Sequence, residues 1–283
     1  MSGYLLVFIA AVLWAFIGVF SKAILEAGVS SMEIAFWRAT IAGVLFLIHA
    51  GLKKELKLQK KTDAPIFIAF ALFGVTVFYS SLILAIDAGS ISLAYILLYS
   101  APAWVVLLAF LLLKEAITPK KIILLALALA GVILVSLDNS SSIAVNPTAI
   151  FWGLLAGLSY ASYYIFGKWI LGRYKVITIY AFILPIGALG LLPFVHFSAK
   201  TPTTYLYILA VSFLSTYLAY LVYFTGLKKI EASKAVMVAT VEPVISAILA
   251  SIFFAEILGI KGIIGGLFIL FASFLSLDFS KKS

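Results

Sequence analysis

Ten stretches of this 283-residue chain are apolar over the length needed to cross a bilayer, and few folds survive that constraint. They run over residues 3–24, 31–50, 65–86, 91–113, 119–137, 148–170, 176–196, 203–226, 232–254 and 259–278. Hydrocarbon offers no partner to a backbone N–H or C=O, so each stretch must satisfy its own backbone as a helix. Composition agrees, with 65% hydrophobic and 11% charged residues and a mean hydropathy of +1.22. Soluble domains carry charge on about a quarter of their residues. The expected fold class is all-α, a polytopic membrane protein of ten transmembrane helices.

Several helix starts are written locally. Thr118 and Asn146 each stand just before a proline, and Asp63 and Thr201 precede Pro65 and Pro202 in the same manner. A short polar side chain can cap the first free N–H groups, and proline tolerates the first helical position. The first stretch lacks a basic leader and a small-residue cleavage site, so it reads as a retained helix. Cysteine is absent, which excludes disulfide and thiolate chemistry. Ser140, Ser141 and Ser142 form a short polar loop.

The net charge of +9 sits in the connections, which argues against a nucleic-acid partner. With the N-terminus inside, 16 of the 20 Lys and Arg residues fall on that side, Lys281 and Lys282 among them. Lys22, Lys200 and Lys261 remain on the other side, and Arg38 lies within a span. Positive charge gathers on the cytoplasmic side. The expected topology places both termini in the cytoplasm of a cell-membrane protein.

Two stretches repeat each other. At a shift of 141, Ser92 meets Ser233, Pro102 meets Pro243, Glu115 meets Glu256 and Lys120 meets Lys261. The front ends align at 146, with Ala10 on Ala156 and Lys22 on Lys168. The copies are five spans apart, an odd number, so the halves face opposite ways across the membrane. The expected organisation is a first five-helix repeat over 1–137 and a second, inverted one over 148–278. Pro102 and Pro243 break spans four and nine, each removing a backbone donor in mid-membrane. Such breaks persist where they line a cavity or meet a neighbouring helix. Paired breaks in inverted halves point to a transporter's binding region.

Residues 10–42, with Trp14, Lys22 and Arg38, resemble the opening of an EamA-type drug/metabolite transporter. Residues 101–115 and 242–256 resemble that family's Pro…Glu pattern in both halves, and residues 153–168 are similar to its sixth helix. The likeness covers nearly the whole chain. It implies a secondary transporter of small organic solutes working by alternating access, with export of amino acids or related metabolites as the leading expectation. Multidrug efflux and exchange of nucleotide-sugars or sugar phosphates are the alternatives. One departure stands out: Ala101 occupies the first copy where Glu242 occupies the second.

Glu242 is the sharpest candidate, since an acid at mid-bilayer costs roughly 2.5–3.5 kcal/mol on insertion scales. It serves either a solute ammonium or proton, or the packing of the proline break. Arg38 snorkels, pairs with Glu242, or holds a solute carboxylate. Lys22 and Lys168 read as headgroup contacts, Glu115 and Glu256 as packing or gating residues, and Asp87 as an outer loop charge. Tyrosines and tryptophans normally gather at interfaces. Here Trp14, Tyr79, Tyr95, Tyr99, Trp104, Tyr160, Tyr164 and Tyr220 are set deep, with Tyr163, Tyr217 and Tyr223 at similar depth. The first eight join Arg38 and Glu242 as cavity candidates. Gly153, Ala156, Gly157 and Gly262, Gly265, Gly266 read as close helix contacts.

No phosphate-binding loop is present, which excludes direct ATP hydrolysis. An intramembrane enzyme would need convergent catalytic groups, yet His49 and His196 lie at span ends and no second deep acid exists. No catalytic residues, metal or cofactor are expected. The expected partners are a small-molecule solute and the lipid bilayer, and the sequence is silent on oligomeric state.

Overall fold

Polar residues beside prolines set three of the helix starts. Thr118 accepts from the N–H of Lys121 (3.2 Å), Asn146 from Ala149 (2.8 Å) and Thr201 from Thr204 (3.2 Å). Asp63 departs from the expected cap: its side chain makes no capping bond. It instead accepts from the Tyr174 hydroxyl (2.7 Å) and the Arg173 guanidinium (3.0 Å). A carboxylate gains more from a guanidinium and a phenol than from one backbone N–H. That choice ties the connection after the second span onto the second half of the chain.

The computed structural model describes residues 2–89, 91–138, 146–254 and 259–276. Glu256, the loop at 140–142, Lys281 and Lys282 lie outside the described residues. Ten apolar helices follow one another: α1 (Gly3–Glu26), α2 (Ser31–Leu52), α3 (Lys61–Ala88), α4 (Leu93–Leu113), α5 (Pro119–Leu137), α6 (Pro147–Ile170), α7 (Val176–Phe194), α8 (Pro202–Leu227), α9 (Ala232–Phe254) and α10 (Ile260–Ser276). The first nine have the length and hydropathy of membrane spans, and α10 is shorter among the described residues. The protein is a multi-pass, all-helical membrane protein of two inverted five-helix repeats.

Packing follows the repeat. Helix α1 lies on α8 and α9, as α6 lies on α3 and α4. Helices α2 and α7 pair, as do α5 and α10. Gly131 and Gly265 allow the last pair to touch, since a Cβ on either would fall 2.5–2.6 Å from the other's carbonyl oxygen.

The proline breaks are present in both halves and match bond for bond. The helix of span α4, which starts at Ile91, divides into Ile91–Leu98 and Ala101–Leu113, and that of α9 into Ala232–Ala239 and Glu242–Phe254. At the first break Tyr99 donates to Tyr95 O (2.9 Å), Ser100 to Leu97 O (3.1 Å) and Ala103 to Ser100 O (2.9 Å). At the second, 141 residues on, Thr240 donates to Val236 O (3.0 Å), Val241 to Val238 O (3.2 Å) and Val244 to Val241 O (3.1 Å). The carbonyls of Leu98 and Ala239 would meet the N–H four residues on, which Pro102 and Pro243 lack.

A neighbouring helix covers the first break. A Cβ on Gly157 of α6 would stand 2.7 Å from Ser100 Oγ and 2.8 Å from Leu97 O. The glycine is there because the Ser100 hydroxyl and the Leu97 and Leu98 carbonyls occupy that space. Gly157→Ala should therefore lower stability by about 1–3 kcal/mol, the usual cost of overpacking. Gly18 has nothing within 4 Å of its would-be Cβ, so Gly18→Ala should be neutral or slightly stabilising. Melting of the two purified variants in one detergent checks this, and equal midpoints would show that the break tolerates displacement.

Candidate functional site

Two wide helical turns aim the tyrosines that wall the centre of the protein. Helix α3 winds in π-helical form over Ala71–Val77, and α8 does so over Phe213–Leu218. A π turn inserts a residue into the helical register and rotates the face of everything after it. Tyr79 and Tyr220 follow the two turns, and both face one cavity. They are repeat counterparts (220 − 79 = 141).

That cavity has a volume of about 120 Å³. Trp14, Arg38, Tyr79, Tyr95, Tyr99, Tyr160, Tyr164, Tyr220 and Glu242 stand around it, together with Ile17, Phe78, Leu82, Leu98, Tyr163, Tyr223 and Phe224. Its rings pack on one another: Trp14 lies 5.0 Å from Tyr223, Tyr164 lies 5.5 Å from Tyr223, and Phe78 stacks on Tyr160 at 5.5 Å. Tyr95, at 39% exposure the most open of the lining side chains, stands toward the lysine-poor end of α4. Trp104 is not at the cavity and packs partly buried against the core. It is five residues past Tyr99, which turns it well away from that residue's face.

The walls are duplicated, whereas the charges are not. Trp14 corresponds to Tyr160 and Ile17 to Tyr163 at a shift of 146. Leu82 corresponds to Tyr223 at 141, and Glu242 to the apolar Ala101. Arg38 and Glu242 thus give the cavity one guanidinium and one carboxyl group. Arg38 is only 7% exposed, so it does not snorkel to the surface. Its Nε donates to Thr216 Oγ1 (3.2 Å), and its guanidinium carbon lies 5.6 Å from the centre of the Tyr79 ring. No ion pair joins Arg38 to Glu242 among the described residues, and Glu242 has no hydrogen-bond partner among them.

On the lysine-rich side a clamp ties the end of α4 to the start of α9. Span α4 ends at Lys114, whose φ of +58° is left-handed, and the N–H of Glu115 bonds back to Ala109 O at 3.1 Å. That turn directs Glu115 toward the start of α9. Its carboxylate accepts from the N–H groups of Ala232 (2.8 Å) and Ser233 (3.2 Å) and from the Ser233 hydroxyl. A carboxylate suits a helix N-terminus, where free N–H groups and the helix dipole are both positive. Lys121 donates to Glu231 (3.0 Å) and lies 3.8 Å from Glu115.

Lys168 grips the other end of the same connection. It is not a headgroup contact: its ammonium donates to the carbonyls of Leu227 (2.9 Å) and Ile230 (2.5 Å) at the end of α8. Its counterpart Lys22 lies 4.0 Å above the Phe254 ring. Asp87 is exposed, but it lies in the last turn of α3 and not in the loop where the sequence reading put it. Lys200, counted among the loop charges, is buried against Glu33, whose carboxylate also accepts from Trp37 (3.1 Å) and Ser198 (2.9 Å). A charge with a partner can be buried where a lone one cannot.

The sequence reading placed Tyr163 and Tyr223 at the right depth but not among the cavity candidates. The repeat held the missing signal, because their counterparts Ile17 and Leu82 each lie three residues after a candidate already singled out, Trp14 and Tyr79.

Comparison with known proteins agrees with the duplicated architecture. The sequence matches the EamA-like transporter family over residues 1–137 and again over 147–277. A protein of Archaeoglobus fulgidus named as an uncharacterized transporter is 30% identical over 240 residues, covering 83% of this chain and 84% of its own. The inner membrane transporter YicL of Salmonella typhimurium, also named uncharacterized, is 26% identical over 100% of this chain and 97% of its own. A solved crystal structure superposes with a TM-score of 0.83 over 96% of this chain and 94% of that chain, at 17% identity. It speaks to the fold alone.

The Tyr223 hydroxyl is buried on the cavity wall without a hydrogen-bond partner among the described residues. Removing such a group relieves a desolvation cost instead of breaking a bond. Tyr223→Phe should therefore leave the melting midpoint unchanged or slightly raised. A fall of several degrees would reveal a partner that holds the hydroxyl in place.

Proposed function

The chain belongs to the EamA-like transporter family, and on that premise we propose that it carries a small zwitterion, an α-amino acid or close relative, by alternating access. One observation carries the reading: a single arginine and a single glutamate face one cavity without pairing with each other. Buried opposite charges ordinarily pair, and separated ones call for something between them that carries both complements. An amino acid does, with its carboxylate for Arg38 and its ammonium for Glu242 and the surrounding rings. The aromatic lining suits an apolar side chain.

The alternatives fit less well. Drug-sized ligands occupy pockets of about 300–1,000 Å³, well above the 120 Å³ found here. A nucleotide-sugar or sugar phosphate brings at least two negative charges, and the wall offers one cation beside one anion. Export follows the family expectation, with the lysine-rich side in the cytoplasm.

Purified protein screened against the twenty amino acids should show thermal stabilisation by those it carries, because a ligand of the native state raises its melting temperature. Flux of the best of them in proteoliposomes should fall at least tenfold in Glu242→Gln and in Arg38→Gln, each melting within a few degrees of wild type. Stabilisation by none of the twenty, or wild-type flux in both variants, would sink the zwitterion reading.

The clamp gives alternating access its own test. With the lysine-rich side closed by Glu115, a cysteine at Leu98 should react with an impermeant reagent only from the other side. Glu115→Gln should make Leu98→Cys reactive from both sides, with Lys57→Cys and Asp87→Cys marking the two faces. The chain has no native cysteine to confuse the result. Reactivity from one side in both proteins would reduce the clamp to a structural tie.

A further inference from the structure

The two wide turns face the opposite half of the protein in the same manner but end on different chemistry. In the first half the Thr76 hydroxyl donates to Gly187 O on α7 (3.0 Å). In the second half Thr216 meets Arg38 on α2. Helices α2 and α7 occupy equivalent places in the packing, each against the wide turn of the other repeat. One threonine thus secures a backbone, while a threonine of the other wide turn, one position out of register with it at a shift of 141, holds the guanidinium at the cavity wall.

The π turn also fixes the polarity of that contact. A hydroxyl has one proton and two lone pairs. The proton of Thr216 is committed to Val211 O, five residues back, at 3.3 Å. Five residues is the reach of a π turn, and the usual threonine back-bond in an α-helix goes four back. With the proton spent there, the oxygen faces Arg38 only as an acceptor. It takes Nε, and the terminal nitrogens of the guanidinium make no hydrogen bond among the described residues.

We infer that Thr216 is the positioning residue that seats Arg38 at the cavity wall, and that the wide turn of α8 is the device that presents it. The seat determines whether a solute is selected for its carboxylate. This last consequence rests on the zwitterion reading, whereas the seat itself does not.

The test uses Thr216→Val, which keeps the shape and loses the oxygen, and Thr216→Ser, which keeps the oxygen. Phenylglyoxal modifies guanidinium groups, and Arg38 and Arg173 are the only arginines in the chain. Adducts at the two are separable by peptide mass, so Arg173 serves as an internal reference. In full-length protein, Thr216→Val should change the rate of adduct formation at Arg38 relative to Arg173 by threefold or more, and Thr216→Ser should restore it.

In proteoliposomes, Thr216→Val should raise KM for the transported amino acid about tenfold with kcat near wild type. Inhibition by an amine of the same skeleton lacking the carboxylate should stay unchanged. Equal adduct rates at Arg38 in wild type and Thr216→Val would overturn the seat. A changed rate with KM unaltered would overturn its role in carboxylate selection. Amino acids that fail to protect Arg38 from phenylglyoxal in the wild type would instead count against the zwitterion reading.

Discussion

Everything at the centre of this protein follows from two carbonyl groups that have lost their helical donors. Pro102 and Pro243 remove the N–H groups that Leu98 and Ala239 would bond, at a depth where lipid can supply nothing. A helix broken there must be enclosed by other helices. Gly157 lets α6 come against the first break, and α1 lies along both segments of the second. The two broken spans are thereby drawn inward and the cavity opens beside the breaks. Lining residues Leu98, Tyr99 and Glu242 stand within four residues of a proline.

Duplication explains the shape of the cavity, and departure from duplication explains its chemistry. Trp14 and Tyr160, Ile17 and Tyr163, Tyr79 and Tyr220, and Leu82 and Tyr223 are paired positions from two halves. A lining built in such pairs keeps its character when two similar half-structures exchange roles, as alternating access requires. An ionised group at this depth costs roughly 2.5–3.5 kcal/mol on insertion scales. Carrying one acid in place of two, with Ala101 opposite Glu242, limits that cost. It also gives the cavity a direction, with the acid on α9 and the guanidinium on α2.

Much of this was legible in the sequence because the relevant physics is local or periodic. Span length, proline position and the shift of 141 are read directly from the residues. Which face of each helix turns inward is another matter. A helix apolar on all sides has no polar stripe to orient it, so Trp104 looked as good a candidate as Tyr99. The π turns carry no sequence signature, yet they set the faces of Tyr79 and Tyr220. Charges misled where their partners are remote in sequence. Asp63 found Arg173, Lys168 found the end of α8, and Lys200 found Glu33, so none of the three kept its local role.

The clamp on the lysine-rich side shows how a closed state can be held without being locked. Its charged contacts sit on helix ends, Glu115 on the start of α9 and Lys168 on the end of α8, beside apolar packing in which Leu113 and Ile230 meet the core that holds Ala109 and Ala232. A charge at a helix terminus contributes at most about 2 kcal/mol in partly buried settings. On that side of the membrane, release would return both groups to water, which recovers part of the cost. Inverting a 99:1 population takes about 5.5 kcal/mol of differential binding. Two terminal contacts of this size fall within that range, so a solute bridging Arg38 and Glu242 could offset them. Each further apolar contact broken on opening would add to that cost, so the proposed cycle depends on helix-end charges carrying the part of the gate that must part.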